Sequence, residues 1–372
     1  MRKLLIFLAL IVLFVAPAST IEYDKENTNI FEQIQSGIIQ LADQVDINEI
    51  MNQLGTKVDE ISDSLDSLFQ KGESEDINLD PISLTAPNSQ PFSIANIELG
   101  DHRNEVEKIY GSPKRVSKNE YGVNWETYHE NYFNFFMISY NEEQKVIAMY
   151  TNQNLLSSEK GIKIGSNKEE VLEQLGEPIK GFRKGLVMYQ LPEDRSFDVF
   201  HLNGSYITIF YDEHEENSVT AIQIIDEKLE NKKSSIYAQG NEELREGFEY
   251  QLFDLTNAIR VQHGLNILTW DEHVRITARH HSEDMAENNY FSHTNLNGQS
   301  PFDRMKEDDI FFMLAGENLA YGQYSSIYAH EGLMNSKGHR ENILKKDYKY
   351  LGVGVAFNNE SQPYFTENFY AK

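Results

Sequence analysis

The last third of the chain holds the residues whose types and spacing can do chemistry. Ser336 stands three residues before His339 and Ser292 adjoins His293, so a hydrolase of serine, imidazole and glutamate can be drawn. Separations this short are common by chance, and Ser336 equally well caps a helix end ahead of Gly338; the cap is the preferred reading. Glu367 alternates onto one strand face with Phe365 and Phe369. A carboxylate beside aromatic rings has its pKa raised and can serve as an acid; the alternative is an apolar face that ends at solvent. His280, His281 and Asp284 share a polar helix face and read as solvated. The chain has no cysteine, which removes disulfides, lipidated cysteines and thiolate metal sites.

These residues need elements to position them. Asn241 can cap a helix carrying Leu244, Phe248, Leu252, Leu255 and Ile259 at helical spacing and closing at Gly264. Asp271 can cap a second, with Val274, Ala278, Met285 and Ala286 inward. Residues 351–357 and 363–370 alternate as strands around Asn358-Asn359. Helices first and a hairpin last suggest an α-β-α sandwich over residues 241–372.

Residues 94–225 contain a duplication. Gly100, Glu105, Val106, Gly111 and Pro113 recur as Gly165, Glu170, Val171, Gly176 and Pro178, all at an offset of 65. Each copy reads as a turn glycine, a short helix closed by the second glycine, and a proline that stops it. Strand-like runs follow at 132–140 and 145–150, then at 185–191, 197–200, 206–211 and 219–225. Two helix-plus-sheet halves make one α+β domain, in which Trp125 reads as core rather than ligand site.

Ahead of these domains, Arg2 and Lys3, an apolar run over 4–15, and Ala16-Pro17-Ala18 have the three parts of a secretory signal peptide, 1–18. The apolar run is short for a membrane span, so the mature chain is expected to have no stable span, with retention by an uncleaved signal anchor as the alternative. Residues 19–70 carry Ile30, Phe31, Ile34, Ile38, Ile50, Leu54, Val58, Ile61 and Leu65 at spacings of an amphipathic helix. Residues 71–93 and 226–240 are polar and read as linkers. A secreted or extracytoplasmic chain without cysteine fits a bacterial source. A formal charge of −26 argues against nucleic acid as a partner.

An ordered series of segments in the C-terminal domain resembles the CAP superfamily, the secreted proteins that include the cysteine-rich secretory, antigen 5 and plant pathogenesis-related proteins. The series runs LTNAIRVQHGLNILTWDEHV (255–274), ARHHSEDMAENNYFSHTNLNGQSPFDRM (278–305), AGENLAYG (315–322), LMNSKGHRENIL (333–344), GVGV and YFTENF. The duplicated section, with its G-x4-EV-x4-G-x-P pattern, is similar to the CAP-associated N-terminal domain that precedes CAP domains in bacterial exported proteins.

The resemblance implies a pocket of two histidines and two acidic residues. Carried across, FSH supplies His293, GEN supplies Glu317 and GH supplies His339. The fourth member does not carry, since a glutamate three residues after a tryptophan is replaced by Leu333 and Ser336. Two imidazoles and a carboxylate, if they converge, can hold a divalent metal such as zinc with an open position for an acidified water. Separations of 24 and 22 residues do not themselves bring them together. Asn318, Asn335 and Arg340 sit beside the motifs, placed to line or brace the pocket. Two functions remain open. One is a binding or interaction module at the cell envelope or outside the cell, for an envelope component, peptide or lipid; the other is a metal-assisted hydrolase. The incomplete tetrad favours the first. The mature chain is expected to begin at Ser19, and N-terminal sequencing of extracellular material that returned Met1 would refute the export signal.

Overall fold

The structure, a computed structural model, describes residues 81–372. The expected signal peptide and amphipathic segment, 1–18 and 19–70, lie outside the described residues. In chain order the elements are β1 (Phe92–Ile94), α1 (Arg103–Tyr110), β2 (Arg115–Lys118), β3 (Asn124–Glu130), β4 (Phe133–Tyr140), β5 (Val146–Thr151), β6 (Leu156–Ser158), α2 (Lys168–Leu175), β7 (Gly181–Lys184), β8 (Val187–Gln190), β9 (Phe197–Leu202), β10 (Ser205–Asp212), β11 (Ser218–Asp226) and α3 (Glu227–Lys232). The C-terminal section adds α4 (Glu242–Gln262), β12 (Thr269–Trp270), α5 (Glu272–Asn288), α6 (Pro301–Glu307), β13 (Leu314–Tyr321), α7 (Ser326–Asn335), α8 (Lys337–Ile343), β14 (Tyr350–Phe357) and β15 (Pro363–Ala371). The class is α+β.

The duplication is visible in three dimensions. Helices α1 and α2 occupy equivalent stretches, each followed by a glycine in the left-handed region, Gly111 at φ 72° and Gly176 at φ 81°. Each buries one valine, Val106 and Val171. The halves meet where β5 pairs antiparallel with β11 inside a seven-stranded sheet of order β2-β3-β4-β5-β11-β10-β9. Antiparallel pairing of each half's last strand relates the halves by a local two-fold. The strand reading overlooked β2 and β3. In β3 the sequence NWETYHE is too polar for the alternation rule, yet Trp125 and Thr127 are fully buried, and Glu126 is buried against Arg103 at 2.9 Å.

Both faces of this sheet are covered. Phe136, Ile138, Met149, Ile222 and Ile224 join Val106 and Val171 under α1 and α2. On the opposite face, Trp125, Phe135, Met137, Tyr150 and Phe210 form one core with Leu244, Phe248 and Leu252 of α4 and Ile327 and Leu333 of α7. The period of two along a strand sends adjacent apolar residues to the two covers. Residues 226–240, expected as a solvated linker, instead carry α3 with Leu229 and Glu230 buried, and Ile236 is buried after it.

The C-terminal sheet has the order β12-β14-β15-β13, with β13 at one edge. Leu351, Val353, Val355, Phe365 and Phe369 face α4, whereas Ala356 and Tyr364 face Met285 and Ala286 of α5. A Cβ on Gly354 would stand 2.0 Å from the Arg279 nitrogen and one on Gly352 2.3 Å from the Arg275 nitrogen, so the two glycines of GVGV let α5 lie directly on β14. Helices cover both faces, an α-β-α sandwich.

At Gly247 on α4, a Cβ would stand 2.0 Å from the carbonyl oxygen of Lys118 on β2. Replacing Gly247 by alanine must push the middle sheet away, at a cost of about 1–3 kcal/mol. Equilibrium urea unfolding of Gly247→Ala should show a lower midpoint, and an unchanged midpoint would mean that this approach is not tight.

Candidate functional site

Consecutive residues of the edge strand β13 serve opposite faces of the sheet. Glu317 lies on the α5 side, paired in register with Asn368, and Asn318 on the α4 side, paired with Glu367. The Glu317 side chain is 1% exposed. Its Oε1 is 2.9 Å from His293 Nδ1 and its Oε2 accepts from Arg304 Nη2 at 2.6 Å. A carboxylate paired with arginine can only accept, so His293 donates through Nδ1 and turns Nε2 outward as an acceptor while neutral. The His293 side chain is 53% exposed.

Arg304 holds more than the carboxylate. Its Nη1 donates to the carbonyls of His293 at 2.8 Å and Gln299 at 3.1 Å. It is carried on α6, where Ser300 and Asp303 form a reciprocal capping box and Pro301 opens the first turn. One buried guanidinium therefore fixes both the acid and the loop that delivers His293.

On the other face, Thr256 Oγ1 donates to Glu367 Oε1 at 2.8 Å and Asn318 Nδ2 to Glu367 Oε2 at 3.1 Å. Glu367 is fully buried between Phe365 and Phe369, and burial pushes its carboxyl up to about 7 against those two hydrogen bonds. Asn318 also donates to the His339 carbonyl at 3.2 Å, and Asn342 Nδ2 to Asn318 Oδ1 at 3.0 Å. These bonds tie α8 to β13 and set His339 at the sheet edge. Burial first, and then the charge of nearby His293, lower the His339 pKa, and its buried Nδ1 has no partner among the described residues. The glycine of GEN has a packing reason: a Cβ on Gly316 would meet the Tyr348 hydroxyl at 2.2 Å.

The expected residues separate into two groups. His293, Glu317 and His339 come to the β13 edge, with Asn318 and Glu367 behind them. Among the described residues, however, no group of three His, Asp or Glu side chains is spaced to hold a metal. Each Glu317 oxygen already accepts one N–H and the side chain is 1% exposed, so a cation could reach that carboxylate only by opening the packing around it. Ser336 joins α7 to α8 and its side chain makes no cap hydrogen bond; its backbone acts instead, the N–H donating to the Leu333 carbonyl at 3.2 Å and the carbonyl accepting from Arg340 N at 2.8 Å.

Asn335 and Arg340 turn toward the middle domain instead. Asn335 accepts from Glu213 N at 2.8 Å and donates to the Tyr211 carbonyl at 2.9 Å, while Arg340 Nη1 reaches Asp212 Oδ2 at 2.8 Å. The β10–β11 turn thus clasps the α7–α8 corner that carries His339. His281, read as solvated, is 1% exposed and its Nε2 lies 3.0 Å from the Ser292 carbonyl, propping the His293 loop. Sequence reasoning missed Arg304 and Asn342. The signal for Arg304 was available, because Ser300-Pro301-x-Asp303 announces a helix start and puts residue 304 in its first turn.

Comparison with known proteins gives a consistent picture. Residues 99–236 match the CAP-associated N-terminal family and residues 253–369 the cysteine-rich secretory protein family. A Bacillus subtilis (strain 168) chain named as a membrane protein, YlbC, is 31% identical over 290 residues, covering 73% of this chain and 82% of its own length. A second protein of that organism, YkwD, is 41% identical over 125 residues, 34% of this chain and 48% of YkwD. Among solved structures, an extracellular protein containing a SCP domain from Bacillus anthracis superposes with a TM-score of 0.63 at 25% identity, over 81% of this chain and 99% of that one. A cysteine-rich secretory protein from Staphylococcus aureus shares the fold, with a TM-score of 0.57 at 16% identity over 77% and 95% of the two chains. No helix among the described residues is long and apolar enough to cross a membrane.

The raised pKa of Glu367 has a signed consequence. Unfolded, the carboxyl titrates near 4.3; folded, it holds its proton up to about 7. Its contribution to stability therefore falls as pH rises between these values, by on the order of 3 kcal/mol in total. In urea unfolding at pH 5 and pH 8, Glu367→Gln should lose less stability on going to pH 8 than the wild type does, by about that amount. A difference between the two proteins that does not move with pH would show that Glu367 does not titrate in this window.

Proposed function

We propose that this chain, which belongs to the cysteine-rich secretory protein (CAP) family, is an exported module that binds a component of the cell envelope through the β13 edge of its C-terminal domain. The observation that carries the proposal is the sealing of Glu317, 1% exposed, with one oxygen bonded to His293 and the other to Arg304. A general base or a metal-bound water needs a carboxylate free to take a proton or a cation, and this one is spent on structure. What the edge offers outward is the exposed His293 imidazole, with His339 close by. Such groups suit hydrogen bonding to a ligand, such as an amide or hydroxyl of a peptide or envelope polymer. An envelope location is supported by the likeness to extracellular and membrane-named relatives and by the signal-like N-terminus.

Metal-assisted hydrolysis is the second reading. It is favoured by the His339 Nδ1 near His293, which has no partner among the described residues; these two imidazoles would be the first ligands, and the buried Nδ1 would have to be uncovered to reach a metal. Ligation needs a neutral imidazole, and burial keeps His339 neutral to a lower pH than a free histidine, so loss of metal through it would come only below the ordinary histidine range.

Co-sedimentation of the purified chain with isolated bacterial envelopes separates the two. Binding that drops at least tenfold in both His293→Ala and His339→Ala, in chelator and without added zinc, is the expected result. Retention unaffected by either substitution would sink the binding proposal, and stoichiometric zinc lost in both variants would move the assignment to the metal-dependent one.

A further inference from the structure

A second cleft lies away from the histidines, where the middle domain, α3 and the start of α4 meet. It encloses about 260 Å³ between the β2–β3 turn and residues 232–239, with Glu120, Tyr121, Lys233 and Tyr237 on its walls. Glu120 is 4% exposed, yet its Oε2 has no hydrogen-bond partner among the described residues. Lys233 lies with its ammonium 4.9 Å from the centre of the Tyr121 ring. The neighbouring acid, Glu230, supports the Lys233 charge from a distance, more strongly than Glu120 does, but its carboxylate contacts buried Lys184, which also donates to the Glu230 carbonyl at 2.6 Å. Glu120 and Lys233 feel each other's charge, but no ion pair joins them among the described residues.

A buried carboxylate oxygen without a well-formed hydrogen bond is expensive to maintain; the Gln223 amide lies near Glu120 and favours its charged form, yet its Nε2 too is without a well-formed bond among the described residues. Burial pushes Glu120 up to about 7, with Lys233 opposing, and burial lowers Lys233. Neither group has an opposite charge in direct contact among the described residues, although each feels the other across the cleft. The two stand on one cleft of a size that suits a small molecule and excludes a folded partner.

We propose that this cleft binds a small zwitterion of the α-amino acid or dipeptide class, whose ammonium meets Glu120 and whose carboxylate meets Lys233. Both charges are needed, because an incoming ammonium alone leaves Lys233 uncompensated and an incoming carboxylate faces Glu120. Tyr121 and Tyr237 form the walls between the two poles, against which an aliphatic portion can lie. Because the cleft is built by both domains, occupancy also joins them more tightly.

The test uses the mature full-length chain in titration calorimetry, with L-alanine and glycylglycine as probes. Binding by either zwitterion is expected, at least tenfold weaker for N-acetyl-L-alanine, which lacks the ammonium, and for L-alaninamide, which lacks the carboxylate. Glu120→Gln and Lys233→Met should each weaken binding at least tenfold, whereas His293→Ala should leave it unchanged. Should Glu120→Gln fail to fold, Lys233→Met decides alone, since Lys233 contributes no ion pair to the fold. No binding by either zwitterion, equal binding of the blocked analogues, or full binding by Lys233→Met would each overturn the assignment.

Discussion

A sheet that is apolar on both faces must be covered twice, and here the second cover is the C-terminal domain. The middle sheet sends Phe135, Met137 and Tyr150 to one side and Phe136, Ile138 and Met149 to the other. Only α1 and α2 come from its own duplication. Burying the remaining face against α4 and α7 removes apolar area from water at roughly 25 cal/mol per Å², and that contact decides where every later element lies. Gly247, which admits the β2 backbone against α4, is a local consequence.

Burying that face also buries polar groups, and these are satisfied across the boundary. Tyr150 donates to Glu331 at 2.8 Å, and Asp254 accepts from Tyr132 at 2.9 Å and from Arg115 Nε at 2.7 Å. These are charge-assisted or fully desolvated bonds, which cost far more to break on one side than they contribute net. They specify how the domains meet rather than supplying most of the stability. Glu331, like Glu367, has its carboxyl pushed up to about 7 by burial. Docking of the domains and packing of the CAP sheet are thereby both favoured by protonation.

The site at the β13 edge depends on the same docking. His339 rides on a corner whose Asn335 and Arg340 are held by the middle domain, and His293 on a loop fixed by Arg304 and His281. Neither imidazole is positioned by neighbours in sequence. The likeness to the family supplies the fold, and the geometry adds that the acid at the centre of the edge is tied down by an arginine.

Sequence alone determined the elements with strong local signals. Asn241 and Asp271 do cap helices, the offset of 65 does mark two equivalent helices, and the alternation in GVGVAF and YFTENF does give the final hairpin, because capping and period-two patterning are properties of a few adjacent residues. It also placed Glu367 among aromatic rings. What only the tertiary structure decided was where polar residues spend their hydrogen bonds. Arg340 and Asn335 follow a pocket motif in sequence and yet reach another domain. His281 looks like a solvated helix face but is sealed by a loop that returns eleven residues later. The polar strand β3 is buried because Arg103 comes from α1 to pair with Glu126. Hydrogen bonds and charges act at about 3 Å between residues far apart in the chain, and no local pattern records which partner will arrive.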